Sequence, residues 1–433
     1  MNRRDILRAA SGLTAVGALA ACKGSSAPPV AADPLSGTSL MRDVETYVGF
    51  GIHRSGGAGD LATTDWFAKR WAALGYEIEQ QHYEIPNADT TAATLSVAGE
   101  TFDGFGQPPL VFTSGEGLPA PLAMWDEAHP ENVAKRIAVV YVPAPSSGFS
   151  PSAAYRAAFA KAADAGAAAV LGVISGPSGE IVAINTPVDL KPTVPVLLIG
   201  EREKPRLDAA MAKGGDAVLR LEGPGGMRPA SNTIARHGDT GPWLIVSTPQ
   251  SGWFTCGGER GPGVAMSLAL AEWAVQKKLP CRLCFVSNSG HEWIYFGGRQ
   301  FQKSGAPEPA DTAMWFHLGA SYAARAYEQT PDGLKPLDTA NPNCVLMVSD
   351  DLMASAQAAF AGQPGIGTPA AADVATSAGE LTAVIEEGYK SFAGFWGGHA
   401  LFHTPIDKAD ATTPQILETV ARSVAKVIED KLA

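Results

Sequence analysis

Positive charge is scarce in this sequence of 433 residues, which holds 33 lysines and arginines against 44 aspartates and glutamates. The formal net charge is -11, and the basic residues form no extended cluster. Contacts with nucleic-acid phosphates need a Lys/Arg surface. We therefore expect no nucleic-acid partner. Apolar residues make up 45% of the chain and charged residues 18%, a composition typical of a globular protein rather than a disordered one.

Two common hydrolase motifs are missing. The segment 291–295 reads His-Glu-Trp-Ile-Tyr and lacks the second histidine of the HExxH zinc motif, which argues against a zincin. No GxSxG segment is present, so a serine hydrolase with a nucleophile elbow has little support.

Cysteine is also rare, with five residues in the whole chain. Cys281 and Cys284 lie three positions apart on a predicted strand, so their side chains point to opposite faces. A CxxC zinc or redox site is therefore not expected. The four cysteines after Cys22 could pair in an oxidising compartment, but buried thiols are our default expectation.

No run in the N-terminal segment is long enough to span a bilayer permanently, since the apolar stretch from Ala9 to Ala21 covers only part of that thickness. Residues 2–8, Asn-Arg-Arg-Asp-Ile-Leu-Arg, resemble the twin-arginine export motif. Residues 19–22, Leu-Ala-Ala-Cys, resemble a bacterial lipobox, which implies that Cys22 is lipidated. We expect a lipoprotein on the periplasmic side of a bacterial membrane; a plain secretory signal is the alternative.

This interpretation divides the N-terminus into a signal (residues 1–21) and a flexible tether (22–37) rich in Ser, Pro, Ala and Gly. Removing the signal takes away Arg3, Arg4, Arg8 and Asp5, a net +2, so the mature chain carries -11 - 2 = -13. Contact with the membrane is expected through Cys22 only.

The rest of the chain alternates strand-like and helix-like segments, which predicts an α/β protein. Helices are expected at 40–50, 60–73, 152–165, 203–213, 261–277 and near 294–303, and a closing helix begins with Thr413 as N-cap and Pro414 after it. Strands are expected at 76–85, 137–142, 168–174, 194–199, 217–221, 243–247, 281–287, 313–318 and 345–348. Residues 38–93 and 227–433 keep a regular α/β rhythm, while 94–226 has Gly/Pro-rich loops and little clustered ionisable chemistry. We interpret 94–226 as a small α/β domain inserted into the first.

The candidate site centres on the stretch 281–292, where an apolar strand pattern breaks into small polar residues and ends in His291-Glu292. In open α/β sheets ligands bind beyond the carboxyl ends of the strands. The distinctive residues at those ends are Glu259, His291, Glu292, His317 and His403. Two carboxylates and three imidazoles are suited either to a zinc site with an open position or to a general acid–base pair.

Several segments resemble metallopeptidase family twenty-eight, which contains zinc aminopeptidases, glutamate carboxypeptidases and glutaminyl cyclases. They are Ser-Asn-Thr-Ile-Ala at 231–235, the turn and helix start at 257–265, and His-Thr-Pro-Ile-Asp-Lys at 403–408. The resemblance implies a three-layer α/β/α zinc-exopeptidase-like (phosphorylase/hydrolase-like) domain with a mixed sheet. Residues 161–170 and 194–199 make the insertion similar to a protease-associated domain.

The ligand set departs from that family. Pro249 stands where the family has its first metal-binding histidine, and the bridging aspartate falls on Glu259. The family's Glu-Glu pair, a general base followed by a ligand, falls on His291-Glu292. A later aspartate ligand falls on His317, and the last histidine ligand is retained as His403.

The resemblance therefore implies at most one zinc per chain, held by Glu259, Glu292 and His403, with His317 as a further ligand and His291 as base. Arg260 opens another possibility, because a guanidinium beside Glu259 could occupy the cation site.

Three functions stay open. The first is a lipid-anchored hydrolase of a small peptide or amide. The second is a non-catalytic binding protein, and the third is a metal-free or cyclase-like enzyme. Aromatic residues that would shape an apolar pocket, if they face it, are Trp253, Phe254, Trp293, Tyr295, Phe395, Trp396 and Phe402.

Overall fold

The structure is a computed structural model that describes residues 33–143 and 152–433. The predicted signal, the lipidation site Cys22 and most of the predicted tether lie outside the described residues. Helix α1 begins at Gly37, the last residue of that tether. None of the helices in the described ranges combines the length and apolar character that a bilayer crossing requires.

Seven of the described helices lie close to the segments that the hydrophobic pattern predicts, whereas the two short helices at 353–359 and 380–386 were not predicted. The last one begins as expected, because Thr413 caps it by accepting the Ile416 N–H at 3.2 Å and Pro414 fills its first turn. In the described residues the α-helices are α1 (Gly37–Gly49), α2 (Ala58–Ala73), α3 (Ser152–Asp164), α4 (Lys204–Lys213), α5 (Gly261–Lys277), α6 (Phe296–Ser304), α7 (Met353–Ala359), α8 (Glu380–Glu386) and α9 (Pro414–Leu432).

Nine of the eighteen described strands follow the predicted runs, and the other nine, among them the hairpin at 325–340, were not indicated by the pattern. The described strands are β1 (Glu77–Pro86), β2 (Ala92–Val97), β3 (Glu100–Asp103), β4 (Phe105–Gly106), β5 (Leu118–Met124), β6 (Ile137–Val142), β7 (Ala169–Ile174), β8 (Val196–Gly200), β9 (Asp216–Glu222), β10 (Met227–His237), β11 (Trp243–Pro249), β12 (Arg282–Asn288), β13 (Thr312–His317), β14 (Arg325–Thr330), β15 (Gly333–Ala340), β16 (Cys344–Val348), β17 (Ala370–Ala371) and β18 (Phe392–Gly397).

The larger structural unit is built on a mixed eight-stranded sheet in the order β1-β10-β12-β11-β13-β18-β16-β17. Its central strands β12, β11, β13 and β18 are parallel. Strand β10 pairs antiparallel with both β1 and β12, and β16 pairs antiparallel with β18 but parallel with the edge strand β17. Parallel strands must be covered on both faces. Their near-continuous apolar sequences, such as Leu-Ile-Val in β11, reflect that burial.

Helices cover both faces of this sheet and give three layers. On one side α1, α5 and α9 pack against one another and bury Val44, Val264 and Val424 completely. On the other side α6 and α8 lie over a separate apolar cluster that includes Phe301, Trp315 and Leu381. The predicted α/β/α arrangement with a mixed sheet is therefore confirmed.

A second eight-stranded sheet, in the order β3-β2-β9-β5-β6-β7-β8-β4, is formed by strands between Ala92 and Glu222. Helix α3 packs on β6 and β7 through Tyr155, Phe159 and Ala162. The likeness of this region to a protease-associated domain stays a prediction.

The cysteines behave as expected. Cys281 belongs to the apolar cluster on the α5 side of the main sheet and Cys284 to the cluster on the α6 side, so the two thiols face apart. The four cysteines of the described residues are free and buried.

The parallel register brings several loops to one edge of the main sheet. Strand β11 ends at Pro249, β12 at Asn288 and β13 at His317, and β18 leads into the segment that carries His403. Side chains separated by more than 150 positions along the chain are expected to meet at this edge because parallel neighbours end together.

The cap of α9 is a testable source of stability. We expect Thr413→Ala to lower the free energy of unfolding by about 1 kcal/mol, because the Ile416 N–H loses its acceptor. Urea denaturation followed by circular dichroism measures this. Thr419→Ala, an exposed threonine on the same helix, is the matched control and should change stability less; equal losses would contradict the capping role.

Candidate active site

The turn before α5 is held by the carboxylate of Asp407. Its two oxygens accept the backbone N–H groups of Gly258 at 2.7 Å and Glu259 at 3.0 Å. Gly257 must be a glycine here, since a Cβ atom would lie 2.0 Å from the carbonyl oxygen of Lys408. The Thr-Pro-Ile-Asp end of the His403 motif thus positions the turn that presents Glu259 and Arg260.

A buried group of charges lies under this turn, and we call it the arginine cluster: Glu259, Arg260, Glu292 and His403. The guanidinium Nη2 of Arg260 is 2.9 Å from Glu259 Oε1 and 4.0 Å from Glu292 Oε1. The Arg260 side chain is fully buried, and its Nε–H donates to the carbonyl oxygen of Ser251 at 3.1 Å. The guanidinium therefore lies between the two carboxylates.

Charge compensation controls ionisation in the arginine cluster. Burial by itself would raise the pKa of Glu259, but the neighbouring Arg260 and His403 outweigh it and hold that pKa well below its ordinary value. Burial would lower the pKa of Arg260, and Glu259 and Glu292 reverse this so that it lies above its ordinary value. Both members of the pair are charged.

Glu292 is held by two hydroxyl groups. Ser251 Oγ and Ser55 Oγ donate to its Oε2 at 2.7 and 2.9 Å. The same hydroxyl oxygens accept the backbone N–H groups of His291 and Gly290. This arrangement fixes Oε2 and leaves Oε1 facing Arg260.

His403 joins the two sheets. Its Nδ1 is 2.8 Å from the carbonyl oxygen of Ala183, which belongs to the second sheet's region, and its Nε2 is 3.3 Å from Glu259 Oε1. The Ala183 carbonyl oxygen can only accept a hydrogen bond, so His403 Nδ1 carries a proton and donates to it. The backbone reciprocates, because the Ala183 N–H donates to the His403 carbonyl oxygen at 3.0 Å.

A second group, which we call the histidine cluster, consists of His291, His317 and Glu380. Glu380 Oε1 is 3.2 Å from His291 Nδ1, and Glu380 Oε2 is 3.3 Å from His317 Nε2. Burial alone would raise the pKa of Glu380; His291, His317 and Arg260 lower it to about 2. The carboxylate is therefore ionised throughout the physiological range.

The tautomer of His317 follows from its partners. Trp315 Nε1–H donates to Ser247 Oγ at 2.8 Å, so the serine hydroxyl is free to donate to His317 Nδ1 at 2.9 Å. The remaining proton of the neutral ring then lies on Nε2, toward Glu380. Burial lowers the pKa of His317 to about 4, which keeps the ring neutral at physiological pH.

The histidine cluster opens onto a cavity of about 290 Å³ between the main sheet and the second one. His291, His317, Glu380 and His403 line it, whereas Glu259, Arg260 and Glu292 lie beneath its wall. The other lining residues are Ser152, Ala153, Arg156, Asn185, Ile294, Tyr295, Gly319, Ala320, Ala378, Gly379, Phe395, Trp396, Gly397 and Phe402.

The main sheet, its covering helices and this edge site can be compared with known proteins. No family model and no curated protein matches the chain, but solved structures do. BSAP, a zinc aminopeptidase from Bacillus subtilis, superimposes with a TM-score of 0.71 at 17% identity, covering 92% of this chain and 96% of that chain. A peptidase M28 precursor from Shewanella amazonensis gives 0.69 at 16% identity, covering 90% and 94%. An aminopeptidase from Aneurinibacillus sp. strain AM-1 gives 0.61 at 16% identity, covering 92% and 96%.

The chain has the zinc-aminopeptidase fold. This confirms the fold that the motif resemblance implies. At these identities the likeness concerns the fold alone, so activity and metal content rest on this chain's own residues.

Within that aminopeptidase fold the predicted site residues separate into two clusters. The structure brings Glu259, Glu292, His403 and Arg260 together in one and His291 with His317 in the other. The described residues contain no group of three or more His, Cys, Asp or Glu side chains that could hold a metal ion. The arginine cluster does not fit a metal as it stands, because a permanent positive charge lies 2.9 Å from Glu259. The single zinc per chain that the resemblance implies stays an untested prediction, and the position of Arg260 argues against it.

Glu380 is the site residue that sequence reasoning missed. It is the first residue of the short helix α8 and follows a loop rather than a strand of the parallel set. Neither its spacing nor its neighbours in sequence distinguish it from an ordinary surface glutamate. The signal that reveals it is tertiary, since only the folded chain places it between two imidazoles.

The predicted aromatic pocket is present in part. Tyr295, Phe395, Trp396 and Phe402 line the cavity. The remaining three of the predicted set pack into the apolar core of the aminopeptidase fold: Trp253, Phe254 and Trp293.

The role of Asp407 as an anchor is testable. We expect Asp407→Ala to lower the free energy of unfolding by roughly 3 kcal/mol, because two buried backbone N–H groups lose a charged acceptor. Guanidinium titration monitored by tryptophan fluorescence measures the loss. Asp410→Ala, an exposed residue on the same segment, is the control, and a similar small change in both variants would show that the anchor contributes little.

Proposed function

We propose that the chain is a hydrolase of peptide or amide bonds in which His291, oriented by Glu380, is the general base. The observation that carries this proposal is the contact between His291 Nδ1 and the ionised carboxylate of Glu380 on the wall of a substrate-sized cavity. A carboxylate only accepts, so Nδ1 carries the proton and Nε2 is left as the acceptor. That is the form of histidine needed to take a proton from water.

The proposed reaction uses these two side chains in sequence. His291 Nε2 takes a proton from a water molecule as the water oxygen attacks the amide carbon. The resulting imidazolium, stabilised by Glu380, then gives the proton to the leaving nitrogen as the carbon–nitrogen bond breaks. The products are a carboxylic acid and an amine, and no step passes through a metal.

His403 supports this chemistry electrostatically. It lines the same cavity, with Nδ1 held by the Ala183 carbonyl oxygen at 2.8 Å. We propose that its protonated ring stabilises the negative charge that develops on the carbonyl oxygen of a tetrahedral intermediate.

The cavity volume of about 290 Å³ suits a small substrate, and its aromatic lining suits an apolar side chain. We also propose that the protein acts outside the cytoplasm as a lipoprotein attached through Cys22. The twin-arginine-like and lipobox-like segments of the sequence support this location.

A binding protein is the second candidate. The observation that favours it is Arg260, which fills the space between the two carboxylates that the resemblance assigns to a catalytic metal. A protein that keeps the cavity without turnover would bind small amides or peptides there, and absence of turnover with measurable ligand binding identifies this case.

The test of hydrolysis uses a panel of short peptides and acyl amino acids with the purified mature chain. We expect His291→Gln to lower kcat by roughly 100-fold to 10,000-fold, the usual contribution of a general base, with a smaller effect on KM. Glu386→Gln, an exposed glutamate on α8, is the matched control and should retain activity. Full activity in His291→Gln would refute the proposed mechanism.

Glu380 acts as a positioning residue, and a pH profile distinguishes that role from a structural one. In Glu380→Gln the imidazolium of His291 that forms during the reaction loses a stabilising negative charge, so the pH profile of kcat/KM is expected to change in shape as well as in amplitude. A profile of unchanged shape and lower amplitude would indicate that Glu380 only supports the fold.

Arg156 gives the cavity a preference for anions. Its Nη1–H donates to the Asn185 carbonyl oxygen, and in residues 33–143 and 152–433 no carboxylate forms an ion pair with it. The adjoining residues 144–151 contain no aspartate or glutamate in sequence. The only carboxylate in the described cavity wall, Glu380, is already shared by two imidazoles. We therefore propose that a substrate carboxylate, rather than a free amine, lies near Arg156.

The preference is measured as the ratio of kcat/KM for a peptide with a free terminal carboxylate over the same peptide amidated. Arg156→Gln is expected to reduce this ratio roughly tenfold to 100-fold, the value of one charge-assisted hydrogen bond. Arg206→Gln, an exposed arginine on α4, is the control. An unchanged ratio in Arg156→Gln would show that another group selects the substrate.

A further inference from the structure

We infer that Arg260 is a resident cation that takes the place of a metal ion, and that removing its guanidinium converts Glu259, Glu292 and His403 into a zinc site. The inference concerns cation occupancy and does not depend on the proposed hydrolytic reaction.

The first support is the position of the guanidinium. One nitrogen of Arg260, Nη2, lies 2.9 Å from Glu259 Oε1 and 4.0 Å from Glu292 Oε1, and no part of the side chain reaches solvent. His403 Nε2 approaches the same Glu259 oxygen at 3.3 Å. Glu259 Oε1 is therefore in contact with both the guanidinium and the imidazole, and Glu292 Oε1 is a third potential donor near the same arginine nitrogen.

The second support is the pattern of unpaired buried atoms. Both oxygens of Glu259, Oε1 of Glu292 and Nε2 of His403 have no well-oriented hydrogen bond, although they are buried. The Nη1 and Nη2 atoms of Arg260 also have no well-oriented hydrogen bond. The carboxylates and the guanidinium therefore compensate each other by charge at close range rather than through directed hydrogen bonds. Donor atoms around a metal ion have this same arrangement, since they point at a charge and not at a proton.

The third support is the surroundings of the three donors. His403 Nδ1 faces the Ala183 carbonyl oxygen at 2.8 Å, and Glu292 Oε2 accepts from two serines. Hydrogen bonds of this kind orient the ligands of a metal site and leave His403 Nε2 and Glu292 Oε1 available for the ion. Such orienting hydrogen bonds are present here, and Arg260 occupies the position that the ion would take.

The consequence follows from charge. A divalent ion cannot enter while a permanent cation lies within contact distance of Glu259, because the two repel each other in a buried environment. Without the guanidinium the cluster would hold two uncompensated carboxylates and an imidazole. Two carboxylates and a neutral imidazole nitrogen are common ligands of zinc.

The experiment measures zinc content and thermal stability after dialysis against micromolar zinc and then against buffer. Wild type is expected to hold no stoichiometric zinc, and Arg260→Ala about one zinc per chain. Arg260→Ala should melt below wild type without metal and regain much of that loss with zinc. Arg260→Lys is the matched control, because an ammonium keeps the positive charge and should keep zinc out.

The outcomes separate clearly. The inference is overturned if wild type holds about one zinc per chain and Glu292→Ala loses it. It is also overturned if Arg260→Ala folds but binds no more zinc than Arg260→Lys. If Arg260→Ala is insoluble, Arg260→Gln is dialysed in the same way; gain of zinc supports the inference and no gain overturns it. Peptide hydrolysis is not a readout, so failure of the proposed function leaves this test unaffected.

Discussion

Compensation of buried negative charge is the constraint on which this site depends. Glu259 and Glu292 lie under the edge of a parallel sheet, out of contact with water, where an isolated carboxylate would be strongly destabilised. Arg260 supplies a positive charge from the next residue in the chain, and His403 contacts Glu259 from a segment more than 140 positions away. The arrangement of loops at this edge therefore follows from the need to bring these charges into contact.

The second sheet takes part in the site instead of lying apart from it. The Ala183 carbonyl oxygen contacts His403, the Thr186 N–H donates to the Glu292 carbonyl oxygen, and Asn185 accepts from Trp253 Nε1. Arg156, on helix α3, lines the cavity beside the histidine cluster. Orientation of the charged groups is thus shared between the two sheets.

The charged side chains at the edge of this aminopeptidase fold form two separate clusters. His291 and His317 contact the carboxylate of Glu380, whereas Glu259 and Glu292 contact Arg260. A single cleft consequently contains one buried cluster that is already neutralised and one that faces the cavity with a free imidazole nitrogen. Acid–base chemistry is suited to the second cluster, because its histidine can exchange protons with a bound water.

Local sequence determined most of the secondary structure and the edge at which the site lies. Periodicity predicted α5 and β6 with their observed bounds, Thr413 and Pro414 predicted the start of α9, and the polar residues after β11, β12 and β13 indicated the sheet edge. These features depend on neighbours in the chain. Tertiary structure alone decided which charges pair, because contacts such as Glu380 with His291, Arg260 with Glu292 and His403 with Ala183 join segments whose separation follows only from strand order. The strength of such a pair depends on distance and burial, and neither quantity is encoded in the spacing of residues along the chain.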